Sequence, residues 1–151
     1  MAEKTLTLNK IYCLTIYNNL RSTPSKDYPT TEEVKETIEL LPKLKEQAQG
    51  YVDILKIRDD IYVEYKKKLK GLSEDEAKLV QEELNNKITE INEKIAEYSL
   101  EHAKDVCELK LSEDSLKVLK TQFERNGWGA KWVASVEEFG EILLALEEAG
   151  K

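Results

Sequence analysis

The apolar positions of this chain follow two periods. Thr5-Leu6-Thr7-Leu8 alternates polar with apolar, the two-residue period of a half-buried strand, and Glu108-Leu109-Lys110-Leu111 repeats it far downstream. Elsewhere the period is helical. Asn9 is a capping residue ahead of Tyr12, Ile16 and Leu20, spaced by four, so a helix is expected to follow the first strand. Residues 22–29, Ser-Thr-Pro-Ser-Lys-Asp-Tyr-Pro, are turn formers and predict a loop.

Thr30 with Glu33 makes a capping box and predicts the next helix start. From there the apolar residues fall into heptads. Val34, Leu41, Ala48, Leu55, Tyr62 and Leu69 occupy one position; Leu44, Tyr51, Tyr65 and Leu72 occupy the other, interrupted by Thr37 and Arg58. A sustained 4-3 spacing is the seam of a coiled coil. Pro42 lacks an N–H and predicts a kink or short break near Leu41. Gly50 weakens the helix by roughly 1 kcal/mol relative to Ala.

Gly71 suits the left-handed position after a helix, with Leu72 as its apolar contact. Ser73 and Glu76 form a second capping box, with Glu74 and Asp75 at the positive end of the helix dipole. The second seam is Ala77, Leu84, Ile88, Ile91, Ile95 and Tyr98. So short a connection makes the two helices antiparallel neighbours. At ~1.5 Å per residue, arms over 43–70 and 74–106 would each span roughly 40–50 Å, so the hairpin is expected to project. Downstream, Ser112 caps a helix bearing Leu116, Leu119 and Phe123 that ends at Asn126-Gly127. After a loop over Gly127–Trp132, Ser135 and Glu138 open a last helix lined by Phe139, Ile142, Leu143 and Leu146.

The expected fold is therefore mainly α: a long antiparallel, coiled-coil-like hairpin with a small helical head. A two-stranded β ribbon would pair Leu109 and Leu111 with Leu6–Leu8. Residues 1–151 form one domain in this reading, with residues 1–29 and 107–151 as the head and 30–106 as the hairpin.

Composition sharpens the picture. The chain has 151 residues, 35 % of them charged, with 30 Asp+Glu against 23 Lys+Arg and a formal net charge of −7. Such an acidic balance argues against direct nucleic-acid binding, which leans on clustered Lys and Arg. No apolar run approaches the ~20 residues of a membrane span and no secretory signal pattern opens the chain, so no membrane is expected. Cys13 and Cys107 stand in no paired motif, which favours a reducing, cytoplasmic compartment.

Catalytic signatures are missing from the sequence. It has no Gly-rich phosphate loop, no paired-Cys or His-Glu-x-x-His metal motif and no nucleophile elbow. The single histidine, His102, continues the second seam and reads as a packed side chain. It lies about 140° around a helix from Cys107, so the two do not converge locally. Glu97/Glu101 and Glu101/Asp105 share a helix face, as solvated acids ordinarily do. Neither an enzyme nor a cofactor or metal site is expected.

Three features point instead to partners. Residues 31–70 hold nine acids and nine bases, whereas 71–110 hold eleven acids and five bases. The lysines of the first arm crowd its end as Lys66, Lys67, Lys68 and Lys70, a placement the helix dipole also favours. The seam is rich in tyrosine (Tyr51, Tyr62, Tyr65, Tyr98), while Ile54, Ile57, Ile61 and Val63 add apolar surface off its ideal line. Two helices cannot enclose all of it, so Tyr51, Ile54, Ile57, Ile61 and Tyr65 are expected to meet another surface, either the head or another chain. Trp128 and Trp132 flank Lys131 in the Gly-containing loop, as interface anchors or as lids on the head's core.

The order of parts resembles an uncharacterised family of small helical-hairpin proteins from phages of Gram-positive bacteria. The matching stretches are Leu8-Asn9-Lys10-Ile11-Tyr12, the hairpin from Thr30 to Val106, and Leu109-Lys110-Leu111-Ser112-Glu113. The resemblance implies a phage protein in a host cytoplasm or virion and carries no activity or site residue with it. The expected function is non-enzymatic: binding another protein, or self-association, as a virion or morphogenesis component. The alternative is an acidic inhibitor that blocks the basic, nucleic-acid-binding groove of a host defence protein.

Overall fold

The computed structural model describes residues 3–24, 27–28, 30–127, 132–133 and 135–151. Its elements are β1 (Glu3–Asn9), α1 (Lys10–Ser22), α2 (Thr31–Gln47), α3 (Gln49–Lys68), α4 (Glu74–Glu101), β2 (Val106–Ser112), α5 (Glu113–Gln122), a π-helical turn (Phe123–Gly127) and α6 (Val136–Ala149). The architecture is mainly α with one two-stranded antiparallel sheet. It divides into two compact units, residues 1–48 with 103–151, and residues 49–102.

The first unit is built on the ribbon. β1 and β2 pair antiparallel with Leu6 opposite Leu109, Leu8 opposite Cys107 and Lys4 opposite Leu111. Strand alternation sends Leu6, Leu8, Leu109 and Leu111 to one face, and all four are buried. A two-stranded ribbon is marginal alone. Here α1, α5 and α6 pack on it, and α2 packs on α1 and α5. The core they enclose includes Cys13, Ile16, Leu40, Leu44, Leu119, Phe123, Ile142 and Leu146.

Helix starts fall where hydroxyl and amide side chains can accept orphan N–H groups. Asn9 accepts from the N–H of Ile11 at 3.1 Å, Thr30 from Glu33 at 3.2 Å, Ser112 from Ser115 at 3.1 Å and Ser135 from Glu138 at 3.2 Å. On α1 the buried set is Cys13, Leu14, Ile16 and Leu20, with Tyr12 only half-buried. The stripe is wider than the four-residue spacing suggested, because α1 faces both the ribbon and α2.

Two features differ from the heptad reading. α2 continues through Pro42 to Gln47, and the interruption comes at Ala48, where φ is −100° and ψ 12°. Burial of Leu40 and Leu44 on either side of the exposed Pro42 holds the helix despite the lost hydrogen bond. The division between units accordingly falls after residue 48 rather than near residue 30. α2 buries Thr37, Leu40 and Leu44 and belongs with α1 and α5.

Candidate interaction surface

Residues 49–102 form the helical hairpin. Gly71 takes φ +75° beyond the end of α3, a conformation that costs L-residues steric strain and glycine almost none. Ser73 then accepts the N–H of Glu76 at 3.3 Å and starts α4. Tyr65 reaches Glu83 while Tyr51 reaches Tyr98. As one index falls the other rises by a similar amount, which is the register of antiparallel neighbours.

The α4 seam follows its predicted line, with Leu84 and Ile91 buried and Ala77, Ile88, Ile95 and Tyr98 half-buried. On α3, Tyr51 and Tyr65 are buried, at 2 % and 0 % exposure. That corrects the expectation that they meet a further surface, either the head or another chain. The covering comes from the hairpin's own long side chains. Tyr65 donates its O–H to Glu83 Oε1 at 2.8 Å, and the Lys68 and Lys87 ammonium groups lie 4.4 and 5.6 Å from its ring centre. The Glu64 carboxylate, 3.3 Å from Lys68 Nζ, holds that lysine above its ordinary pKa through their hydrogen bond. Tyr51 meets the Tyr98 ring edge-on at 4.6 Å, and Tyr98 in turn lies 4.1 Å from the His102 ring. His102 caps α4 and packs as the sequence suggested. Tyr62, placed in the seam by the heptads, is 47 % exposed.

The isoleucines behave differently. Ile54, Ile57 and Ile61 fall within about 60° of one another on α3. Ile54 and Ile61 are half-buried and Ile57 is 51 % exposed, so one apolar stripe runs along a flank of the helix. Val63, also exposed, stands on the opposite side. Lys66, Lys67, Lys68 and Lys70 are solvated at the end of α3, and Glu82, Glu90, Glu93, Glu97 and Glu101 are exposed along α4.

In the first unit Trp132 is buried. Its N–H donates to the Gly127 carbonyl at 2.8 Å and its ring meets Phe123 edge-on at 6.0 Å, while Phe123 stacks on Phe139 at 4.6 Å. It serves the core there and offers no anchor to a partner; Trp128 and Lys131 lie outside the described residues. α6 exposes Val136 and Leu144, and a groove of about 190 Å³ beside Leu20, Val34, Ile38 and Leu41 leaves Ile38 exposed.

Two relationships escaped the pattern analysis. The Tyr12 hydroxyl on α1 donates to Glu141 on α6. Burial, that hydrogen bond and the nearby carboxylates of Glu141, Glu138 and Glu137 push the phenol up to about 12. Cys13 and Cys107 come together although α2, α3 and α4 separate them in sequence. A signal existed for each half of that pair: Cys13 shares the 3-4 spacing of Ile16 and Leu20, and Cys107 shares the two-residue period of Leu109 and Leu111.

No helix among the described residues is long and apolar enough to cross a membrane. Comparison with protein-family models, with curated proteins and with solved structures finds no match.

Proposed function

We propose that this chain is a non-enzymatic protein-binding module whose contact surface is the Ile54–Ile57–Ile61 stripe of α3. The supporting observation is Ile57, 51 % exposed between two half-buried isoleucines while Tyr51 and Tyr65 are covered inside the hairpin. A stripe of isoleucines on a solvated, highly charged hairpin is surface that association would remove from water. The occupant is another protein or a second copy of this chain. The phage-family resemblance gives the setting, a virion or morphogenesis component within a host cytoplasm or particle.

Light scattering over a concentration series tests self-association. A photo-crosslinking residue at position 57, followed by mass spectrometry, tests capture of another chain. Ile57→Glu at so exposed a site should change stability by no more than about 0.5 kcal/mol. It should lower the association at least tenfold. A persistent monomer from which position 57 captures nothing would end the proposal. A second reading draws on the exposed carboxylates of α4 and of Glu137, Glu141, Glu147 and Glu148 on α6. These would fill a basic groove of a host protein. That mode weakens steeply with salt, because exposed charges are screened over ~10 Å at 0.1 M, whereas the isoleucine contact does not.

A further inference from the structure

Cys13 and Cys107 stand at the two ends of the segment that carries α2, α3 and α4. The fold returns them to one place. Asn9 ends β1 and caps α1, so the chain passes from strand to helix without a loop. Its side-chain amide donates to the Ala103 carbonyl at 2.9 Å, and the next N–H, of Lys10, donates to the Asp105 carbonyl at 2.9 Å. These bonds fasten the start of α1 to the chain entering β2. One turn into α1, Cys13 is fully buried. Cys107 pairs with Leu8 and shares the inward face of Leu109 and Leu111, half-buried at the rim. Both are free thiols, and each lies in the other's electrostatic surroundings.

We propose that Cys13 and Cys107 are an oxidisable dithiol that closes to an intramolecular disulfide joining α1 to β2. The oxidant class is a peroxide. The more exposed Cys107 reacts first: its thiolate attacks a peroxide oxygen, the O–O bond breaks, and hydroxide leaves as the sulfenic acid forms. The Cys13 sulfur then attacks the sulfenic sulfur, and the S–OH bond breaks as the S–S bond forms. The Cys13 proton and the departing hydroxyl leave together as water. In total two thiols and one hydrogen peroxide give one disulfide and two waters.

Burial raises both thiols, Cys13 to about 12, while the Lys10 ammonium opposes the rise at Cys107. Both therefore resist casual oxidation at neutral pH, and the reaction should speed up as pH rises.

The test is intact-mass measurement of the full chain after hydrogen peroxide treatment. A loss of about 2 Da, with a peptide joining Cys13 to Cys107, is expected. Closing a loop of about 95 residues should raise the thermal midpoint by roughly 10 °C, reversed by dithiothreitol. Cys107→Ser and Cys13→Ser should each abolish that shift, and Cys13→Ser should leave a Cys107 sulfenic acid that dimedone traps. The mass of the wild-type chain decides the matter even if a variant fails to fold. A gain of oxygen mass without the 2 Da loss, crosslinking between chains instead of within one, or two thiols that survive peroxide at alkaline pH would each overturn the proposal.

Discussion

The Tyr98 ring of α4 lies against the backbone of Gly50 in α3, where a Cβ would overlap the phenol. The close approach lets Tyr98 meet Tyr51 edge-on and lie beside His102. Gly50 therefore contributes the space into which the last aromatic of the α4 seam packs, although it weakens α3 as a helix.

The two effects of Gly50→Ala oppose each other. Alanine gains about 1 kcal/mol of helix propensity. Displacing Tyr98 forfeits ring contacts of about 0.5–1.5 kcal/mol each and adds strain. We expect a net loss of about 1–2 kcal/mol in denaturant unfolding. In a Tyr98→Ala background the overlap is gone, and Gly50→Ala should become stabilising by up to about 1 kcal/mol. A double-mutant cycle that shows no change of sign would contradict the packing account.

Gly71 carries the only positive glycine φ among the described residues, +75°, and nothing crowds the place of its Cβ. The cost of Gly71→Ala is then backbone strain alone, about 1–2 kcal/mol. Gly71→Asn should recover part of it, since Asn tolerates the left-handed region. Thermal unfolding of the three proteins should rank them Gly, Asn, Ala.

Tyr12 gives the fold an alkaline dependence. Its phenol is raised from 10.0 to about 12 by burial, by the bond to Glu141 and by carboxylates nearby. The folded state thus keeps this proton longer than the unfolded state. Its stabilisation is complete below about pH 10 and is lost as pH rises through about 12. Tyrosinate absorbance should show a late-titrating group that Tyr12→Phe removes.

Gln122 and Arg125 should part company on mutation. Gln122 is fully buried; its amide nitrogen donates to the Asp27 carbonyl at 3.3 Å and its oxygen accepts from Asn126 at 2.6 Å. Arg125 reaches the same carbonyl and Glu33, but 40 % of its side chain is exposed. Gln122→Ala leaves a cavity and unpaired groups and should cost about 2–3 kcal/mol. Arg125→Ala should cost less than about 1 kcal/mol. Chemical denaturation of both variants compares them directly.

The sequence alone determined the helix starts and the end of α3, which are set within a few residues of chain, whereas the break it placed at Pro42 is overridden by the burial of Leu40 and Leu44. Asn9, Thr30, Ser73, Ser112 and Ser135 cap the helices they precede, because the accepting side chain and donating N–H are local. Gly71 ends an arm because only its φ matters, and the alternation of Leu6 and Leu8 with Leu109 and Leu111 found the ribbon. Tertiary structure alone decided what covers each apolar side chain. Pattern reading marks Tyr51, Ile57, Tyr65 and Trp132 equally as apolar surface, yet only Ile57 remains exposed. The difference lies in Lys68, Lys87, Glu83, Tyr98 and Phe123, whose positions depend on the packing of whole elements. Proximity between distant positions has the same origin. Cys13 meets Cys107, Tyr12 meets Glu141 and α2 joins the first unit because burying the ribbon brings remote segments together, a consequence no local spacing contains.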